Sequence, residues 1–299
     1  MLKTISHVLI TGGEGMIGQS LNKYLLSKGF EVSIIDVNQK NSVDITSNEI
    51  EEVLNKINPD CIVHAAAHPG GKSMEDPVNN TKINSFGSMQ IFNWCSKLKK
   101  KLIFLSSSAI YGEVQETPIT EKQAPNPGTI YAVNKVACEN YLKILDQKYN
   151  LDFTILRLFA TYGAGHKPNT FQGIVNVIIT QLMNDKSLVI KGSLERKRDL
   201  IYVEDTILAI YKSIISDKIS KKTINIGTGK SISINDLINE LCKVMSISRK
   251  KINIVETEGT IGDPFYSVAD VSQLKNLLDF EHQFSLSEGL SEMFKFRQI

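Results

Sequence analysis

The sequence predicts an α/β fold, a doubly wound parallel sheet followed by a smaller C-terminal domain. Three observations predict it. Short apolar runs recur through the first half of the chain with longer amphipathic stretches between them, which is the alternation of βαβ units. The runs are apolar nearly throughout rather than at every second residue, as in strands covered on both faces. The first run also ends in a glycine-rich turn that opens a helix, "TGGEGMIG" at 11–18.

In chain order the strands are expected at "HVLIT" (7–11), "EVSIID" (31–36), "CIVHAAA" (61–67), "KLIFLSSS" (101–108) and "FTILRLF" (153–159). The helices between them include "MIGQSLNKYLLSKG" (16–29) and "NSFGSMQIFNWCSKLKK" (84–100). After about residue 163 the pattern loosens. "YGAGHKPNTFQG" reads as a loop, 173–186 as a helix, "KTINIGTG" (222–229) as a strand and "INDLINELCKVM" as a helix. Residues 1–163 are therefore expected to form the sheet domain, with the chain returning to it at about 198–228. Residues 164–299 form mostly the smaller domain.

A chain of 299 residues with an apolar share of 42% can bury a large core. Net charge is only +2, so no general field attracts nucleic acid. The run "KLKKK" at 97–101 reads as the solvated end of a helix, where cations suit the dipole. Four scattered cysteines form no CxxC or Cys/His cluster, and free thiols packed as small apolar residues in a reducing cytosol are the plain reading. No leader is expected, since "MLKTISHVLI" runs straight into the glycine turn, and no apolar run approaches the ~18 residues of a membrane span. The expectation is a soluble cytoplasmic protein with neither membrane nor nucleic-acid partner.

Chemistry concentrates where the runs end, because ligands of doubly wound sheets bind outside the carboxyl ends of the strands. Gly12, Gly15 and Gly18 give the G-x-x-G-x-x-G spacing that permits a tight turn, close approach of backbone to a pyrophosphate, and close packing of helix on strand. Asp36 ends the next strand, where a carboxylate accepts both ribose hydroxyls and repels a 2′-phosphate, so NAD is favoured over NADP. Asp44 in "VDIT" either faces the adenine or belongs to a helix N-cap region. Ala65, Ala66 and Ala67 leave room for a dinucleotide lying across the sheet edge. His64 and His68 flank a strand end with no carboxylate in the spacing, so no metal site is expected.

The fourth run ends in three hydroxyls, Ser106, Ser107 and Ser108, and buried serines need polar partners. Some twenty residues on, Thr129 can cap a helix carrying Tyr131 and Lys135, four apart and so on one face. The same spacing occurs in Tyr24 and Lys28, but at the far end of the first helix, away from the carboxyl edge. Beside the serines, a lysine ammonium one turn away and a positive nicotinamide ring favour the phenolate of Tyr131. Tyr131 then takes the proton of an alcohol as hydride leaves the same carbon, with Ser107 holding that oxygen.

Together these residues resemble the extended short-chain dehydrogenase/reductase family, above all its sugar-nucleotide epimerases, dehydratases and reductases. The resemblance rests on "TGGEGMIG", Asp36, "VHAAA", Asn84 with Gly87, "SSSAIYG", "YAVNK", "LRLFATYG", "RKRDLIYVED", "NIGTG" and "GDPFYSVADVSQLKNLL", and covers nearly the whole chain. It implies a Rossmann domain binding NAD, a smaller substrate-binding domain, and Ser107, Tyr131 and Lys135 as catalytic triad. For the cofactor it implies Gly12, Gly15, Met16, Ile17, Gly18, Asp36, Val37, Asp44, Ile45, Ala65, Ala66, Ala67, Asn84, Ser106 and Leu158, with Tyr131 and Lys135. For a nucleotide-sugar substrate it implies Ser73, Ser107, Ser108, Phe159 and Arg198, the arginine taking the diphosphate. Family members commonly dimerise through the helices that here carry Asn84–Leu98 and Tyr131–Leu145, so a homodimer is implied.

Dehydratases of the family carry Thr-Asp-Glu where this chain has Ser107, Ser108 and Ala109, which leaves no carboxyl group placed to eliminate water. The GDP-fucose-synthase type expects a different residue after the tyrosine of "IYG" and a cysteine nearby, and neither is present. A 4-epimerase resembling UDP-glucose 4-epimerase and a 4-ketoreductase remain, and Asp36 favours the epimerase. A non-catalytic dinucleotide-binding sensor is the reading from another class. Ala160 replaces a common Asn, and Thr260 a common Arg, so the sugar or its nucleotide departs from the usual pattern.

Overall fold

A computed structural model describes residues 5–40, 43–115, 117–168, 172–184 and 187–298. The chain runs β1 (His7–Thr11), α1 (Met16–Ser27), β2 (Glu31–Ile35), α2 (Ile50–Ile57), β3 (Cys61–His64), α3 (Pro77–Thr81), a π-helical turn (Lys82–Gly87), α4 (Ser88–Leu98), β4 (Lys101–Ser107), α5 (Ile130–Tyr149) and β5 (Phe153–Leu158). It continues through β6 (Ala160–Tyr162), α6 (Ile174–Asn184), β7 (Ser187–Lys191), β8 (Lys197–Arg198), β9 (Leu200–Tyr202), α7 (Val203–Ile215) and β10 (Lys222–Ile226). The last elements are β11 (Ile232–Ser233), α8 (Ile234–Val244), β12 (Asn253–Thr257), β13 (Tyr266–Ser267), α9 (Ser272–Leu278) and α10 (Leu286–Gln298).

Six of these strands form one parallel sheet in the order β2-β1-β3-β4-β5-β10. The apolar runs are continuous because the sheet is covered on both faces. Val8, Ile10, Val63 and Ile103 pack on one side with Leu21 and Leu25 of α1 and Ile207 and Ile210 of α7. Leu9, Ile62, Leu102 and Phe104 pack on the other with Phe92 and Trp94 of α4 and Leu142 of α5. Neighbouring residues thus serve opposite cores, as the two-residue period of a strand requires.

The strand order reverses at β1, whose neighbours are β2 on one side and β3 on the other. Connections leave this point in opposite directions, which opens a crevice at the carboxyl ends of β1 and β3. The lysine run divides: Lys97 and Lys99 are the exposed end of α4 read from the sequence, whereas Lys100 and Lys101 are buried. Lys101 is 8% exposed, and its Nζ donates to the carbonyls of Ile214 and Ser216 at 2.8 and 2.7 Å, closing the C-terminus of α7. Lys100 donates to Asn58 Oδ1, and Lys97 pairs with Glu51. The charges are spent on helix ends and side chains of the protein itself.

Candidate active site

The crevice is built from backbone. Gly12 has φ +74, and a Cβ there would stand 2.7 Å from Ala66 Cα, so the first turn and the end of β3 touch main chain to main chain. A Cβ at Gly18 would lie 2.3 Å from the Gly12 carbonyl, so α1 sits directly on the turn. Gly15, the N-cap of α1, supplies no side-chain cap, and the first turn of that helix has no acidic residue. Met16 and Ile17 open the helix, leaving the positive end of its dipole and its first N–H groups for an anion. Asp36 follows β2, is 9% exposed, and accepts from Glu14 N at 3.0 Å and Asn38 N at 2.9 Å. It therefore braces the glycine turn, and the exposed Val37 extends the same rim.

The floor of the crevice is held by a buried relay. Ala66 N–H donates to Thr11 Oγ1, which lies 2.7 Å from His64 Nδ1; His64 Nε2 lies 2.9 Å from Ser88 Oγ, which donates to the Asn84 carbonyl. Burial pushes His64 down to about 3, so the ring is neutral and structural. His68 presents its ring to Asn80, and no group of three possible metal ligands occurs among the described residues. Asn84 departs from a direct cofactor contact: it is 1% exposed, accepts from His68 N at 2.8 Å and donates to the His68 carbonyl at 3.1 Å. Both ends of its amide clamp the loop after β3. Asp44 accepts from Thr46 N at 2.8 Å in a turn ahead of α2, whose N-cap is Glu49, and Ile45 is buried against Gly87.

Ser107, Tyr131 and Lys135 meet at the carboxyl edge. Thr129 caps α5 as the sequence predicts, accepting from Ala132 N at 3.2 Å. The Ser107 and Tyr131 side chains face each other, and Ser107 accepts from Ala109 N. Lys135 is 3% exposed, donates to the Leu105 carbonyl at 2.7 Å and lies 4.7 Å from the Phe104 ring centre. Burial pushes Lys135 down to about 8, with Cys138 and Glu139 pulling it back up. Tyr131 differs from the expectation of a lowered phenol: in the protein alone burial pushes it up to about 12, with Ser107 acting the other way. The Lys135 ammonium faces the ring and the Leu105 carbonyl.

Other expected contacts divide. Ser73 is 0% exposed, and its Oγ has no hydrogen-bond partner among the described residues. It belongs to the loop whose Gly70 lies against the Tyr131 ring. Ser108 opens a 3-10 turn directly after Ser107. Leu158 ends β5 at the same edge, whereas Phe159 is 3% exposed and packs toward Tyr111. Ser106 is turned inward, donating to Glu139 Oε1 at 2.7 Å rather than facing the crevice. Arg198 is 8% exposed and donates to Asp263 Oδ1 at 2.7 Å, with Arg196 on the other carboxylate oxygen. It is thus neither an open anion clamp nor part of a solvated basic cluster. A cavity beside it and the start of α5 is lined by Glu113, Asn126, Gly128 and Asp263 among others.

Sequence reasoning passed over Glu139 and Arg157. Their signals were present: a charge inside the apolar run "FTILRLF" must find a buried partner, and Glu139 continues the four-residue spacing of Tyr131 and Lys135.

A dinucleotide cradle at a switch point with a Ser/Tyr/Lys set at its mouth defines a nucleotide-dependent oxidoreductase-type enzyme. Residues 8–227 match the model of the NAD dependent epimerase/dehydratase family, and the chain belongs to that family. It is similar to the UDP-glucose 4-epimerase of Thermotoga maritima solved with UDP-glucose: 28% identity, 98% of each chain covered, TM-score 0.90. It is also similar to the Thermus thermophilus UDP-glucose 4-epimerase in complex with NAD: 26% identity, 97% of this chain and 99% of that one, TM-score 0.89. A GDP-6-deoxy-D-talose 4-dehydrogenase of Aggregatibacter actinomycetemcomitans is 30% identical over 98% of both chains. The protein is an enzyme, and its cofactor is NAD, which the glycine cradle, the uncapped start of α1 and Asp36 fit.

Proposed function

We propose that this enzyme is an NAD-dependent 4-epimerase of a nucleotide sugar, working by transient oxidation at sugar C4. The observation that carries the reading is Lys135, buried with its ammonium 5.6 Å from the centre of the Tyr131 ring, and Ser107 facing that tyrosine beside the cradle. When bound, NAD supplies the hydride acceptor and a positive ring. The chain does the proton work. Ser107 holds the C4 oxygen, Tyr131 takes its proton, and the Lys135 cation favours the phenolate so formed. After the 4-keto sugar turns over, Tyr131 returns the proton to the C4 oxygen, and the same hydride given back to the opposite face of C4 makes the epimer. The unpartnered Ser73 Oγ, on the loop whose Gly70 lies against the same tyrosine, is matched to a sugar hydroxyl. A diphosphate reaching Arg198 has to compete with Asp263.

A 4-ketoreductase is the second reading, favoured by the 30% identical GDP-6-deoxy-D-talose 4-dehydrogenase. Incubation with UDP-, dTDP-, GDP- and CDP-sugars separates the two. Epimers formed without added cofactor support the epimerase, and stoichiometric consumption of reduced cofactor with a 4-keto sugar supports the reductase. A sensor that only binds the dinucleotide would keep its behaviour in Tyr131→Phe. Four buried free cysteines support a reducing, cytoplasmic setting, and no helix among the described residues is long and apolar enough to cross a membrane. The exposed Phe86, Val133 and Ile144, on the π-helical turn and α5, support a homodimer through that face. Ile144→Asp should shift the mass read by light scattering toward that of one chain.

A further inference from the structure

Three consecutive residues of β4 each reach a different residue of α5. The Leu105 carbonyl accepts from Lys135 Nζ, Ser106 Oγ donates to Glu139 Oε1, both at 2.7 Å, and Ser107 faces Tyr131. The helix partners stand at 131, 135 and 139, successive turns of one face. Glu139 is 2% exposed and has no part in the proton work described above. Arg157 donates to it twice, Nη2 to Oε2 at 2.6 Å and Nε to Oε1 at 3.0 Å. The remaining arm of Arg157 donates to the Tyr111 hydroxyl at 2.8 Å and the Glu121 carbonyl at 3.1 Å. A charged pair inside the sheet survives burial because every polar atom is satisfied.

We propose that Glu139 is a positioning residue of the redox site. Through Ser106 it fixes the end of β4 against α5, and with its carboxylate it keeps the Lys135 ammonium charged. The inference rests on the roles of Tyr131 and Lys135 given above. The groups facing Lys135 are Tyr131, Cys138 and Glu139 from α5, the Phe104 ring and Leu105 carbonyl from β4, and the neutral His64 from β3. Cys138 is held up at about 11 by burial and stays a neutral thiol at working pH, so Glu139 is the standing negative charge among them. Its loss lets desolvation drive the proton off Lys135 at lower pH.

The test uses the full chain with ε-13C-labelled lysines, Lys135 being assigned from the signal lost in Lys135→Arg. Glu139→Gln keeps the shape and the acceptor for Ser106 but removes the charge. The Lys135 titration midpoint should fall by about one unit or more, as for a charge at this range. Glu139→Gln with Arg157→Gln makes a neutral pair of similar size, and the same fall is expected where the single variant does not fold. Ser106→Ala leaves the ion pair intact. With interconversion of UDP-glucose and UDP-galactose as the probe, it should lower kcat about tenfold and keep KM within about twofold, and Ser106→Thr should restore kcat. An unmoved Lys135 midpoint in the folded variant overturns the inference, as does a wild-type kcat in Ser106→Ala. If the wild-type chain epimerises none of the UDP-, dTDP-, GDP- and CDP-sugars, or Tyr131→Phe does so at full rate, the proposed function fails instead; in that case, and where neither UDP-hexose is converted, the Lys135 midpoint still decides the role of Glu139.

Discussion

Tyr24 with Lys28 and Tyr131 with Lys135 share a spacing, and in both pairs the lysine stands over the tyrosine ring, 5.2 Å from its centre in the first and 5.6 Å in the second. The surroundings differ. Lys28 is exposed just past the last turn of α1, and Tyr24 lies edge-on to Tyr211 at 5.3 Å. Lys135 is closed in beneath Phe104 and fixed to Leu105, while Tyr131 faces Ser107. Spacing on a helix therefore supplies only a neighbour on that helix. What sets the second pair apart is the strand end facing it, which brings a hydroxyl and encloses the lysine.

The comparison can be broken most sharply at the phenols. Tyr131→Phe should reduce turnover by about 10²–10⁴, the usual worth of a positioned acid/base, with nucleotide-sugar affinity by calorimetry close to wild type. An active Tyr131→Phe enzyme would erase the distinction between the pairs. Next, Lys135→Met should lower kcat roughly 10²-fold and also change how stability varies with pH. Lys135 titrates near 8 when folded and at its ordinary 10.5 when unfolded. Between those values the unfolded chain keeps a proton the folded chain has released, so stability rises with pH across that window. Urea unfolding at pH 7.5 and 10 should show this rise in the wild type and in Lys28→Met, and a smaller one in Lys135→Met.

A smaller effect is expected where α1 starts. Gly12→Ala forces a side chain into a left-handed conformation and against Ala66, costing about 1–3 kcal/mol of stability by urea unfolding and weakening NAD binding. At the bottom of the scale, Tyr24→Phe should change kcat by less than about twofold and stability by within about 0.5 kcal/mol, as for a surface substitution. A Tyr24→Phe enzyme slowed as much as Tyr131→Phe would mean the carboxyl-edge argument has the wrong edge.

Much of the fold was legible because buried parallel strands announce themselves. β1 begins and ends where "HVLIT" does, and β4 and β5 stop one residue before their apolar runs. The run "CIVHAAA" was read three residues too long: β3 ends at His64, and the alanines leave the sheet to meet Gly12. "KTINIGTG" overran in the same way, since Asp199 takes the N–H groups of Thr228 and Gly229 that a ladder would have used. Pairs as short as β8, β11 and β13 carry no periodicity to read. In the site, the meeting of Ser107, Tyr131 and Lys135 at the carboxyl edge was legible by motif and place. The bonds of Ser106 to Glu139, of Asn84 to His68 and of Arg198 to Asp263 were not, because a polar side chain can turn either way and its partner lies elsewhere along the chain.

The sequence by itself determined the order of elements, the glycine turn and the carboxylate after β2, since each follows from local periodicity or backbone freedom. The tertiary structure alone decided which tyrosine–lysine pair is enclosed, that Glu139 and Arg157 share one buried charge network, and that Arg198 is held by Asp263. Those outcomes depend on contacts between residues tens of positions apart, where burial and the partner's charge, rather than residue type, set what a group can do.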